Sequence, residues 1–143
     1  MPKAQLILEN GKIINLEELK DDTVIVNGDI EIFKSKNGSI SYRLKKGTDP
    51  NALKIAFNTI VTPKGGEYNL ILPDGTRVWL NAMSKIRYPI LFDKSIRELQ
   101  MEGEAYFQVA KLFNNNKKVP FIVHTNNQSI EVLGTEFNIQ NYD

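Results

Sequence analysis

The chain has 143 residues, with 18 basic and 17 acidic side chains for a formal net charge of +1, and it contains no cysteine. That length supports one core without disulfides or metals, and the lack of thiols excludes a disulfide framework and a thiolate metal site while leaving the redox compartment open. The basic residues are scattered apart from pairs such as Lys45-Lys46 and Lys117-Lys118, which argues against a surface built for nucleic acid.

Apolar runs extend only a few residues, far short of the roughly 20 that span a bilayer, and the N-terminus carries no signal-peptide core. Turn signals recur instead: Asn10-Gly11, Asn27-Gly28, Asn37-Gly38, Gly65-Gly66 and Asp74-Gly75. Each sits between β-branched or aromatic segments and supplies the positive φ of a hairpin. The pattern predicts an all-β protein, either a solenoid-like stack of short strands or a two-layer β-sandwich.

In chain order the expected strands are 5–8, 12–16, 23–26, 30–33, 40–44, 67–72, 77–80, 97–101, 106–109, 120–124, 129–133 and 136–139. Leu16 to Asp22 has room for a single helical turn or a loop. The turn cluster Thr48-Asp49-Pro50-Asn51 divides an N-terminal β part (1–50) from a motif-bearing β part (51–143) within one domain, and Leu53 to Val61 reads as the connecting strand. Phe137 to Asp143 still reads as strand, so the chain is expected to continue in a longer protein.

Two β units of common origin are also suggested. Leu6-Ile7-Leu8-Glu9-Asn10-Gly11-Lys12-Ile13-Ile14-Asn15-Leu16 aligns without gaps on Leu70-Ile71-Leu72-Pro73-Asp74-Gly75-Thr76-Arg77-Val78-Trp79-Leu80, with a weaker echo of Val26 to Ile30 in Met101 to Ala105. Either the halves are repeats, or two Asx-Gly hairpins look alike.

Leu72-Pro73-Asp74-Gly75-Thr76 has the chemistry of a tight turn: proline presets φ, aspartate accepts from amides ahead of it, and glycine takes the left-handed position. Trp79 must face away from Val78 and Leu80. Either a second layer covers that side or Trp79 is exposed and available to a partner; because Ile71 alternates onto the same side, the covering layer is expected. Glu102 and Glu104, two apart, would stand about 7 Å from each other in a strand and invite a paired-carboxylate glycosidase reading. Gly103 between them argues for a turn or bulge that separates them.

His124, the single histidine, has no triad or metal partners at suitable spacing and reads as a strand residue with a satisfied ring. Lys64-Gly65-Gly66 lacks the phosphate-loop spacing and reads as a flexible entry to the Glu67 strand. Asn114 to Lys118 reads as a polar exposed loop. No catalytic residue, metal ligand or cofactor site emerges.

Taken in order, Thr62-Pro63, L-P-D-G-T-R-V-W-L-N (72–81), R-Y-P (87–89), I-R-E-L (96–99), G-E-A-Y-F-Q-V (103–109), P-F-I-V (120–123) and V-L-G-T-E-F-N (132–138) resemble the periplasmic domain of FecR-type anti-sigma factors of the Bacteroidetes kind. The resemblance covers a little over half of the chain. It marks Pro73, Asp74, Gly75, Thr76, Trp79, Leu80, Asn81, Tyr88, Pro89, Gly103, Glu104, Ala105, Tyr106, Phe107, Gly134, Thr135, Phe137 and Asn138 as family signature positions, mainly structural.

The resemblance implies an all-β periplasmic part of a single-pass inner-membrane regulator. Its partners would be the signalling domain of an outer-membrane TonB-dependent transducer and, through a cytoplasmic segment, an extracytoplasmic-function (ECF) sigma factor. The membrane span, the sigma-binding helices and a further C-terminal domain would lie outside these residues. Two rival readings remain: a carbohydrate-binding module stacking sugars on Trp79, Tyr88, Tyr106 and Phe107, and a glycoside hydrolase built on Glu102 and Glu104. Most of those aromatics are expected to be buried, and two or more exposed on one flat face would favour the first rival.

Overall fold

The computed structural model describes residues 4–27, 29–35, 40–47, 49, 56–132 and 135–141. The expected turns at Gly28 and Asn37-Gly38, the start of the connecting strand at Leu53, and Gly134 lie outside them. Within the described residues the chain is all-β, as its turn spacing predicts, with one short 3₁₀ turn at Leu16–Glu18.

One long strand organises the rest. Arg97 to Gln108 alternates without a break: Arg97, Leu99, Met101, Gly103, Ala105 and Phe107 are buried, and the residues between them face outward. In chain order the strands are β1 (Gln5–Ile7), β2 (Ile13–Asn15), β3 (Val24–Asn27), β4 (Ile30–Lys34), β5 (Ile40–Leu44), β6 (Phe57–Val61), β7 (Tyr68–Ile71), β8 (Arg77–Leu80), β9 (Lys85–Pro89) and β10 (Arg97–Gln108). They continue as β11 (Phe113–Asn114), β12 (Lys117–Lys118), β13 (Phe121–His124), β14 (Ser129–Glu131) and β15 (Glu136–Asn141).

The first half of β10 pairs with β9 and β13, in a leaf ordered β2-β1-β6-β9-β10-β13-β14. Its second half pairs with β8 and β15, in a leaf ordered β3-β4-β5-β7-β8-β10-β15. Among the described residues only β5–β7 and β10–β13 run parallel. The leaves face each other across one apolar cluster that draws on both parts of the chain, from Leu6 and Ile32 to Phe107 and Phe121. Tyr42 of one leaf meets Tyr88 of the other edge to face, ring centres 5.7 Å apart.

The corner where β10 changes leaf is Gly103, at φ +94°. A Cβ there would stand 2.2 Å from Ser84 Oγ and 2.8 Å from Ser84 Cα, so only glycine admits the β8–β9 turn at this distance. Ser84 then accepts from the Glu104 amide at 2.9 Å, and its own amide donates to Thr62 Oγ1 at 2.9 Å. The sequence pattern predicts two strands, 97–101 and 106–109, on either side of Gly103; the glycine instead bends one continuous strand.

The two aligned hairpins share their turn geometry, which both readings of the alignment expect. In the β1–β2 hairpin Leu8 N donates to Lys12 O (2.9 Å), Gly11 N to Leu8 O (2.8 Å) and Lys12 N to Asn10 Oδ1 (3.0 Å). In the β7–β8 hairpin Leu72 N donates to Thr76 O (2.8 Å), Gly75 N to Leu72 O (2.9 Å) and Thr76 N to Asp74 Oδ1 (2.9 Å). The aligned Leu6 and Leu70, Leu8 and Leu72, and Leu16 and Leu80 are all buried.

Two further departures from the sequence reading are local. Lys85–Pro89 is a strand that its two cations had masked. Asn114 to Lys118 is the end of a small β11–β12 hairpin, whose turn residues Asn115 and Asn116 both take positive φ as a type I′ turn requires. Of the expected connecting strand, the described part forms Phe57–Val61.

Asp74 differs from Asn10 in having a buried partner. Arg97, with its side chain 1% exposed, donates through one terminal nitrogen to Asp74 Oδ2 (2.8 Å) and Ala110 O (2.7 Å), and through the other to Val119 O (2.8 Å). Its carbon lies 5.3 Å from the centre of the Phe121 ring. Asp74 Oδ2 also accepts from Thr76 Oγ1, which in turn accepts from the Ala110 amide at 3.1 Å.

Removing one partner of such a pair strands a buried charge. Arg97→Ala and Asp74→Ala are each expected to lower unfolding free energy by about 3–5 kcal/mol in urea melts, with the double variant costing less than the two together. Gly103→Ala is expected to cost about 2–4 kcal/mol, because positive φ and the Ser84 contact penalise the same methyl group. Burial pushes the Tyr42 hydroxyl up to about 12 and raises Tyr88 as well. Folded pKa values above the unfolded one mean that this stability is intact below about pH 10 and is lost as pH rises towards 12. Absorbance titration should therefore show these tyrosines ionising together with alkaline unfolding.

Candidate functional site

Strand alternation in β8, β10 and β15 puts Val78, Leu80, Ala105, Phe107 and Ile139 in the core and sends the residues between them to the outer surface. One cross-strand row there is Asn69, Trp79, Tyr106 and Asn138; a second is Arg77, Gln108 and Glu136. Trp79 and Tyr106 are each 37% exposed. Their ring centres lie 5.5 Å apart at 55°, a tilted contact of the kind aromatic pairs favour. The expected second layer over Trp79 is not present among the described residues: the alternation was right, but Tyr106 supplies the only ring packed on the indole there.

The polar groups around this pair are fixed by one another. Glu104 accepts from Asn81 Nδ2 through one carboxylate oxygen (2.7 Å) and from Asn138 Nδ2 through the other (3.1 Å). Glu136 accepts from the Tyr106 hydroxyl at 2.6 Å and from Gln108 Nε2 at 3.2 Å. The Tyr106 hydrogen bond holds the Glu136 carboxyl below the usual carboxylate range, and the same bond raises the Tyr106 hydroxyl. Both carboxylates are thus acceptors in fixed positions, committed to amides and a phenol. The exposed aromatic pair and the fixed acceptors around it are groups that can contact another surface by ring packing and hydrogen bonding.

The other signature positions among the described residues lie in turns, in the core and at the corner. Pro73, Asp74, Gly75 and Thr76 form the hairpin that holds Arg97; Leu80, Tyr88, Pro89, Ala105 and Phe107 are buried. Phe137 stacks flat on Phe107 at 4.8 Å, and Thr135 takes the Val109 amide on its carbonyl. Gly103 and Asn81 shape the corner from which Glu104 projects.

Of the four aromatics, Tyr88 and Phe107 are buried as expected, whereas Trp79 and Tyr106 are not. Glu102 does not join Glu104: it lines a separate cleft on the other leaf with Lys85 and Arg87. His124 has the satisfied ring that its spacing suggested, with Nδ1 2.7 Å from Ser129 Oγ and Nε2 3.6 Å from Glu98. Among the described residues no three His, Asp or Glu side chains are grouped to hold a metal, and no helix is long and apolar enough to cross a membrane.

The model of the family described as FecR protein matches residues 58–143, which take in β6 to β15 and so the whole outer face just described. Two crystal structures of a protein assigned as an anti-sigma factor from Parabacteroides distasonis are similar to the chain. One is 42% identical with a TM-score of 0.54 over 60% of this chain, and the other is 43% identical with a TM-score of 0.52 over 59%. In each case the likeness spans 38% of the solved chain, well under half of its length. No curated protein matches the sequence. With its motifs, corner and outer face all inside the matched region, the chain belongs to the FecR protein family.

Proposed function

We propose that these residues form the periplasmic signal-receiving domain of a membrane-anchored anti-sigma factor. The domain receives a signal from the signalling domain of an outer-membrane TonB-dependent transducer and relays it to an ECF sigma factor held by a cytoplasmic segment. It acts by protein–protein recognition and not by catalysis. Family membership and the likeness to an assigned anti-sigma factor support the regulatory role. The observation that carries the mode of action is the Trp79–Tyr106 pair, half-exposed on a sheet face whose polar groups are already held in place. Aromatic side chains fixed before binding lose little entropy when a partner covers them.

Exposure of two aromatics on one face also has a saccharide reading. The 55° angle between the rings offers no flat platform for a sugar, so the protein partner is favoured. In a binding assay with the transducer's signalling domain, Trp79→Ala and Tyr106→Ala are each expected to weaken affinity about tenfold or more, a loss of about 1.4 kcal/mol. Unchanged binding by both variants would remove this face from the interface. Deleting residues 63 to 138 from the full protein is expected to abolish signal-dependent gene activation; intact activation would sink the signalling role itself.

A further inference from the structure

On the opposite leaf, a cleft of about 500 Å³ crosses the outer surface of β1, β6, β9, β10 and β13. Ile7 and Thr59 line one end, Lys85, Arg87, Gln100 and Glu102 the middle, and His124 with the Thr125 turn the other end. Strand pairing puts Ile7, Thr59, Arg87, Gln100 and His124 in a single cross-strand row. Five strands about 4.8 Å apart make that row about 19 Å long, the span of roughly six residues of extended chain.

The charges in it are unevenly matched. Lys85 and Arg87 project from the same face of β9, about 7 Å apart. Among the described residues neither has a carboxylate at ion-pair distance, although Glu102 is the cross-strand neighbour of Lys85. The Arg87 guanidinium lies 4.1 Å from the centre of the Phe57 ring, which orients it and leaves the edge of the guanidinium, with its N–H donors, for a ligand. His124 is turned to Glu98 and Ser129 and adds no free donor. Thr59 and Gln100 supply neutral polar groups on either side of Arg87.

We infer that this cleft binds an extended acidic peptide segment of a partner protein, with a carboxylate held between Lys85 and Arg87 and peptide groups hydrogen-bonded to Thr59 and Gln100. Charge complementarity chooses the occupant. Two unpaired cations ask for a single carboxylate between them, while Glu98 and Glu102 on the same face repel further negative charge along the cleft and so disfavour a polyanion such as nucleic acid. A cleft six residues long is larger than an inorganic anion fills. The inference is independent of the aromatic face, since the two lie on different leaves and no residue serves both.

The test uses the 143-residue chain, isotope-labelled for amide NMR, and a set of heptapeptides in which glutamate is walked through a Gly/Ser/Val background. Glutamine isosteres and inorganic phosphate serve as controls. The expected result is that at least one acidic peptide moves the amide signals of Arg87, Gln100 and Glu102, binds at least about tenfold more tightly than its isostere, and weakens as salt rises. Lys85→Gln with Arg87→Gln should abolish these shifts, whereas Lys85→Arg should keep them. Lys85 is exposed, so the Lys85→Gln single variant, expected to fold normally, also reports a reduced affinity. Equal binding of the isosteres, displacement by equimolar phosphate, or no shift at millimolar peptide would each overturn the proposal. Trp79→Ala should leave this binding unchanged, which separates its failure from that of the aromatic face.

Discussion

A guanidinium buried between two sheets is costly unless every direction is answered, and the fold around Arg97 is arranged to answer most of them. Its acceptors come from three separate stretches: the Asp74 carboxylate in the β7–β8 turn, the Ala110 carbonyl after β10, and the Val119 carbonyl before β13. None of these is near another in sequence. The interaction therefore exists only when the hairpin, the long strand and the crossover to β13 are all in place, which makes it a condition of the assembled structure more than of any one element. Nε alone finds no acceptor, and the adjacent Phe121 ring partly compensates.

That dependence explains why the two aligned hairpins differ in chemistry while sharing the same geometry. Asn10 and Asp74 each accept the amide two residues ahead at nearly the same distance, and a neutral side chain suffices for that. Only Asp74 must also face a cation, and only there is the acid required. Thr76 against Lys12 follows the same logic. Its hydroxyl relays between Asp74 and the Ala110 amide deep in the structure, whereas Lys12 is exposed at the sheet edge.

Local signals in the sequence were strong enough to reveal the class of fold and most strands, because Asx-Gly turns and alternating apolar residues act within a few positions of each other. What escaped was set by distance along the chain. Lys85–Pro89 buries only Ile86, Tyr88 and the terminal Pro89, and its status as a strand comes from lying between β6 and β10. Gly103 looked like a break because a glycine inside a strand usually marks one; its neighbour Ser84, 19 positions earlier, is what requires it. Trp79 was assigned to the correct face by alternation alone, but whether anything covers that face depends on the positions of the other strands. Exposure was not legible until they were placed.

The corner also bears on function. Glu102 and Glu104 flank Gly103 on one strand, yet one lines the cationic cleft and the other anchors the amides beside the aromatic pair. Both faces are thus mounted on β10 within a few residues of the point where it changes leaf. That point is clamped by Ser84, which takes the Glu104 amide and is itself tied to Thr62. Because Ser84 sits closer to Gly103 than any side chain would allow, the corner has little room to rotate without breaking those bonds. Two surfaces on such a strand hold a constant relation to each other. The two faces proposed as contact surfaces would therefore be presented at a fixed angle, with β10 as the rigid element common to both.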